Sequence, residues 1–142
     1  MPIDAVVADA NALLSAALGH AASRVFTEYR VAVHAARYNA DEVESYLPVL
    51  AAKYAVAPEL LALQWRLLPV RLHEATSYTG ALAAARARVA TTDPDDVHPL
   101  ALAMTLGLPL WSNDDDLAAA GVTRYTTAQL LAALGGRRPP KR

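Results

Sequence analysis

Three short apolar or β-branched runs, Ala5–Ala8, Val31–Ala35 and Leu108–Trp111, are separated by long stretches of helical periodicity, and no other feature restricts the fold as tightly. Runs of four or five such residues suit strands covered on both faces, as in a parallel sheet whose return connections are helices. The first run ends at Asp9, and beyond it Leu13, Leu14, Ala17, Val25 and Phe26 fall at helical spacings. After the second, a helical pattern runs from Asn39 through Val43, Leu47, Leu50 and Tyr54, and Pro58, suited to a first helical turn, opens another through Leu68. Val70–His73 reads as a weaker third strand, Ser77–Val89 as an Ala/Arg helix, and Asp93-Pro94 as the start of a helix that stops at Gly107. Leu108–Trp111 supplies a fourth strand, Leu117–Ala120 a helical turn, Val122–Tyr125 a fifth strand and Thr127–Leu134 a closing helix. This order predicts an α/β fold in three layers, α/β/α, around a mostly parallel sheet of four to five strands.

A chain of 142 residues has room for one core, here assigned to residues 1–134. Hydrophobic residues make up 54% of it and aromatics only 6%, so that core is built from small side chains on closely set elements. Cysteine is absent, which excludes disulfide scaffolds, thiolate zinc sites and cysteine nucleophiles. Any metal is left with oxygen or histidine ligands. The apolar start carries Asp4 and Asp9 and lacks a basic region, unlike an export signal, and no run reaches the roughly 18 uncharged apolar residues of a membrane span. A cytoplasmic protein is expected. The net charge of −1 conceals a division: the segment Gly135–Arg142, expected to be a disordered basic tail, holds four cations, and residues 1–134 carry 9 basic against 14 acidic side chains, a net of −5.

The acids recur where strands end. Ligands of open parallel sheets bind beyond the carboxyl ends of the strands, and there the sequence sets Asp9 with Asn11 after the first strand and Ser112-Asn113-Asp114-Asp115-Asp116 after the fourth. Asp93, Asp95 and Asp96 open the helix before the fourth strand, and Glu42 lies near the start of the helix after the second. Each has a structural explanation too. Asp9 and Asp93 suit helix caps, Asn39 and Glu42 have capping-box spacing, and Asp114–Asp116 suits a solvated turn. Capping does not explain why acids gather on one rim of an otherwise apolar chain. Close carboxylates repel unless a cation sits among them, and Mg²⁺ or Mn²⁺ accepts a few carboxylates without histidine. No nucleophile is evident. Of the histidines at 20, 34, 73 and 98, none has metal-ligand spacing; His34 and His73 read as structural, and His98 as a helix-surface residue.

Three segments then carry a resemblance: Val6-Val7-Ala8-Asp9-Ala10-Asn11; Asp93-Pro94-Asp95-Asp96-Val97 followed by Leu100-Ala101-Leu102-Ala103; and Leu108-Pro109-Leu110-Trp111-Ser112-Asn113-Asp114-Asp115-Asp116-Leu117. In their order and spacing they resemble the PIN-domain family, which includes VapC-type toxin ribonucleases, over roughly residues 3–134. By that resemblance the metal-site acids are Asp9, Glu42, Asp96 and Asp114, supported by Asn11 and Ser112. Asp95 competes with Asp96 on a one-residue slip, and Glu44 with Glu42. Glu42 is preferred because the family has an acid followed by apolar helix positions, and Glu44 points about 200° around the helix. Ser112 replaces the family's more frequent Thr, and His98-Pro99 is an unusual helix start. The resemblance implies a PIN-like fold, Mg²⁺- or Mn²⁺-dependent hydrolysis of single-stranded RNA, a homodimer and, in toxin members, an antitoxin partner.

Phosphoaspartate hydrolases and receiver domains also place acids at strand ends, but they expect a lysine near the later strands. The only lysines are Lys53 and Lys141. A non-catalytic PIN-like module binding RNA or protein is the other alternative, one that loss of site acids would mark; all four positions are filled. For base recognition the sequence offers Trp111, Tyr125, Arg37, Arg86 and Arg88, of which Trp111 reads as core.

Overall fold

A computed structural model describes residues 3–89 and 93–135. Five strands, β1 (Ala5–Ala8), β2 (Ala32–Ala36), β3 (Val70–His73), β4 (Leu110–Trp111) and β5 (Arg124–Tyr125), form one sheet in the order β3-β2-β1-β4-β5. Every neighbouring pair is parallel, so the expected mostly parallel sheet is wholly so. The helices are α1 (Ala10–Ala17), α2 (Arg24–Thr27), α3 (Arg37–Lys53), α4 (Pro58–Leu67), α5 (Leu82–Arg88), α6 (Pro94–Leu106) and α7 (Thr127–Gly135). Strand alternation divides the interior. Val6, Ala8, Val33 and Trp111 pack with Leu13, Leu61 and Leu130 on one face of the sheet, while Val7, Ala36 and Leu110 pack with Val97, Leu100 and Tyr78 on the other. Two apolar layers around one sheet make the α/β/α arrangement. Trp111 is fully buried, as expected, with its indole N–H donated to Thr127 Oγ1 at 3.0 Å.

Several elements are shorter than their sequence patterns. The first helical stretch breaks after α1, where Gly19 takes φ +81°, a conformation that side chains with a Cβ resist. Ser77–Val89 is helical only from Leu82: before it come two 3₁₀ turns, Ala75–Ser77 and Thr79–Ala81, and the Thr79 hydroxyl donates to the Ala75 carbonyl at 2.7 Å. Leu117–Ala120 likewise gives way to a 3₁₀ turn at Asp115–Leu117. The fourth strand begins only after Pro109, which has no N–H for the ladder, and the fifth starts at Arg124 rather than Val122. The third helix begins at Arg37 with Ala36 as its cap, so Asn39 lies inside the helix and no capping box forms. α6 ends as expected at Gly107, φ +68°. Among the described residues no helix is long and apolar enough to cross a membrane. Of the expected basic tail, all but Gly135, which ends α7, lies outside the described residues.

Candidate active site

The parallel sheet points the carboxyl ends of β1 and β4 to the same rim, and the acids gather there. Asp9 follows β1 directly and caps α1, its Oδ1 accepting from the Ala12 N–H at 2.9 Å. The capping explanation is therefore true of Asp9, and the site explanation is compatible with it. Its Oδ2 accepts a short hydrogen bond from the hydroxyl of Ser112, a fully buried residue just past β4. The same hydroxyl oxygen accepts from the Asp114 N–H at 3.0 Å. Ser112 thus ties the two strand ends together, and a Thr hydroxyl could serve the same purpose.

Asp114 caps the following 3₁₀ turn, accepting at Oδ1 from the Asp116 N–H at 2.9 Å, and this bond turns Asp116 back toward the rim. Asp96 enters from the first turn of α6. The structure brings one carboxylate oxygen each from Asp96, Asp114 and Asp116 within 4.8 Å of one another. Asp116 belongs to this cluster and is also exposed in a turn, as its sequence context suggested. The i, i+2 spacing from Asp114 was the available signal, since an Asx turn folds the second residue back on the first.

Glu42 and Asp95 form a second pair, close enough that Asp95 raises the Glu42 carboxyl. Asp9 interacts electrostatically with Asp114, and Glu42 with Asp9, so Asp9 links the two groups. Both members of the Asp95/Asp96 alternative thus reach the rim, at different places. Glu44 does not: its Oε2 accepts from the Trp65 indole N–H at 3.2 Å, on the side of α4. Asn11 is exposed in the first turn of α1.

Pro99 explains the placement of Asp95. Lacking an N–H, it leaves the Asp95 carbonyl without its helical partner, and Asn39 Nδ2 from α3 donates to that oxygen at 3.3 Å while also reaching Glu42 Oε1 at 3.3 Å. Asn39 is fully buried, and its Oδ1 has no hydrogen-bond partner among the described residues. His98, expected on the helix surface, is instead half-buried and stacked on Tyr38, with a hydrogen bond to Tyr78, because α3 and the Tyr78 turn pack against the start of α6. His34 and His73 pair with each other at 2.9 Å across β2 and β3, in keeping with a structural role.

Close packing of acids shifts their protonation. Burial raises the Asp9 carboxyl above its usual range. Burial, then a hydrogen bond to Asp114, pushes Asp96 up to about 7. Burial, then the nearby Asp95, pushes Glu42 up to about 8. The donors are all oxygen, they converge from four chain segments, and a buried amide oxygen beside them lacks a partner among the described residues, which normally costs about 1–3 kcal/mol. This set fits a hard divalent cation such as Mg²⁺ or Mn²⁺.

The fold has known counterparts. A crystal structure of PAE2754 from Pyrobaculum aerophilum superposes with a TM-score of 0.70 at 18% identity, covering 94% of this chain and 90% of that one. A toxin–antitoxin complex from Klebsiella pneumoniae contains a chain matching with a TM-score of 0.62 at 19% identity, covering 86% of this chain and 97% of that one. No curated protein sequence matches. The PIN domain profile matches residues 7–135, from within β1 to the end of α7 and across every acid on the rim. By that match, the chain belongs to the PIN-domain family.

Proposed function

We propose that this protein is a divalent-metal-dependent endoribonuclease that hydrolyses single-stranded RNA. The observation that carries the reading is the convergence of Asp96, Asp114 and Asp116 within 4.8 Å, beside buried Asp9, at the rim where β1 and β4 end. Asp9, Asp96 and Asp114 would hold Mg²⁺ or Mn²⁺, Asp116 completes the oxygen set, and Ser112 fixes Asp9 relative to Asp114. Bound there, such an ion supplies positive charge that eases deprotonation of water and offsets charge developing on a phosphodiester. Glu42, which acts electrostatically with Asp9, would hold the ion or orient the attacking water. Asn11, exposed beside Asp9, is placed to meet substrate.

Cleavage is expected to require Mg²⁺ or Mn²⁺, to stop in EDTA, and to leave 5′-phosphate and 3′-hydroxyl ends. A 2′-O-methyl group at the scissile nucleotide should leave cleavage possible, because water rather than the 2′-oxygen attacks. End-labelling of products from a mixed single-stranded RNA pool checks this, and 2′,3′-cyclic phosphate ends or full activity in EDTA would overturn the mechanism. Binding of RNA without metal-dependent cleavage would favour the non-catalytic module instead.

The similarity to a chain of a toxin–antitoxin complex is in keeping with a toxin role, and a cytoplasmic location is part of this proposal. An antitoxin would lay a helix or extended segment across the acidic rim and present a basic side chain to it. A homodimer is also expected, through α3 and α4, where Tyr46, Val49, Leu60, Leu63 and Leu67 are exposed. Sedimentation at tens of micromolar should show two copies per particle, and Leu67→Glu should shift it to monomer; a wild-type monomer at that concentration counts against this interface.

A further inference from the structure

Beside the acids stands an ordered aromatic stack that the catalytic reading does not use. Tyr38, in the first turn of α3, lies parallel to His98 of α6, with ring centroids 4.1 Å apart and an interplanar angle of 1°. The imidazole is itself fixed. Its Nδ1 is 2.6 Å from the hydroxyl of Tyr78, a residue only 1% exposed, whose ring meets it edge-on at 88°. Tyr38 is 38% exposed, and with one ring face covered by His98 the open surface lies on the other face and the edge. Asp95 and Glu42 both act electrostatically on its phenol. The stack therefore stands beside the acids of the rim.

We infer that the open face of Tyr38 is the platform on which an unpaired nucleobase next to the scissile phosphate stacks. This rests on the ribonuclease reading and extends it to substrate recognition. Glu42, Asp93 and Asp95 act on the phenol with negative charge, so a phosphate is disfavoured over this ring while a neutral planar group is not. Arg86 acts electrostatically on His98, which puts a cation in the neighbourhood of the stack. A ring already held flat loses little freedom when a base covers it, and aromatic stacking accepts single-stranded bases with little sequence preference. Recognition thereby falls to Tyr38 and not to Trp111, which is fully buried, or to Tyr125, which packs against the core.

The test uses an RNA oligonucleotide cut by the wild type, with an abasic nucleotide placed in turn at each position around the cut. In the wild type, one position flanking the cut should raise KM about tenfold with kcat little changed. Tyr38→Phe, which keeps the ring, should preserve that penalty. Tyr38→Leu should raise KM about tenfold on intact RNA and show no further penalty at that position. An unchanged KM, or the same abasic penalty in Tyr38→Leu as in the wild type, overturns the platform while leaving the nuclease reading intact. If the wild type cuts no RNA, the nuclease reading fails by itself, and anisotropy of the fluorescently labelled oligonucleotide in Ca²⁺ then decides. Weaker, abasic-insensitive binding by Tyr38→Leu supports stacking, and equal binding by both proteins, including the case where Tyr38 serves a protein partner, overturns it.

Discussion

Asp114→Asn is expected to lower the rate of RNA cleavage by about 10³-fold or more, the scale at which removing a group that stabilises transition-state charge acts. The amide keeps the oxygen that accepts from the Asp116 N–H, and the Asp114 main-chain bond to Ser112 is untouched. Both bonds persist, so the fold should too. In EDTA the variant should melt no lower than the wild type, because the repulsion between Asp114 and Asp96 has been removed. Asp96→Asn should behave in the same way. Glu44→Gln is the contrasting substitution: its side chain faces Trp65, and a glutamine oxygen can still accept the indole N–H, so cleavage should stay near the wild-type rate. Glu42→Gln should reduce it. Rates measured under single-turnover conditions, beside thermal melts in EDTA, separate these cases. Full activity in Asp114→Asn would remove the acid cluster from the chemistry, whereas equal losses in Glu42→Gln and Glu44→Gln would point to damage of α3 rather than of the site.

The layers, the succession of strands and helices along the chain and the acidic rim were legible because they depend on local pattern. Apolar runs ending in Asp9 and Ser112-Asn113-Asp114 specify strands with acids at their carboxyl ends, and a parallel sheet places those ends together whatever the details of the loops. What was not legible depended on helix phase. Asp95 and Asp96 are about 100° apart on one helix, and which faces which partner is decided by Pro99, whose missing N–H frees the Asp95 carbonyl for Asn39, a residue 56 positions earlier. Glu42 and Glu44 pose the same question, answered by Trp65 from the next helix. Asp116 joined the cluster through a turn too short to have a periodicity. The Tyr38–His98 stack joins α3 to α6, and no spacing in the sequence reports a contact of that length. The shortened α5 differs in kind: Thr79 bonds back to Ala75, a local competition that an Ala-rich pattern conceals.

Without metal, stability should fall as pH rises from about 5 to about 8.5, the opposite of ordinary acid denaturation. In the folded chain the Asp96 carboxyl is raised to about 7 and Glu42 to about 8, from ordinary values of 3.8 and 4.5, and Asp9 is also raised. Between these values the folded protein holds protons that the unfolded chain has released. The resulting stability is fully present below the ordinary carboxylate range and is lost as pH rises through the folded-state values, leaving repelling carboxylates uncompensated. With a discount for solvent screening of the partly exposed groups, the change across both pairs is about 2 kcal/mol, or about 6 °C in Tm for a domain of this size. Mn²⁺ competes for the same oxygens with the protons, so its stabilising effect should be small at pH 5 and largest near pH 8, where saturation at about 100-fold above Kd adds about 2.7 kcal/mol. Melting curves in EDTA and in Mn²⁺ across this range check both slopes. In Asp96→Asn the metal-free slope should flatten, since the raised Asp96 carboxyl is gone, and the gain from Mn²⁺ at pH 8 should shrink with it. A metal-free stability that climbs from pH 5 to 8 would mean that the carboxylates do not stand this close in solution, and the cluster would then offer a cation no more than scattered surface acids do.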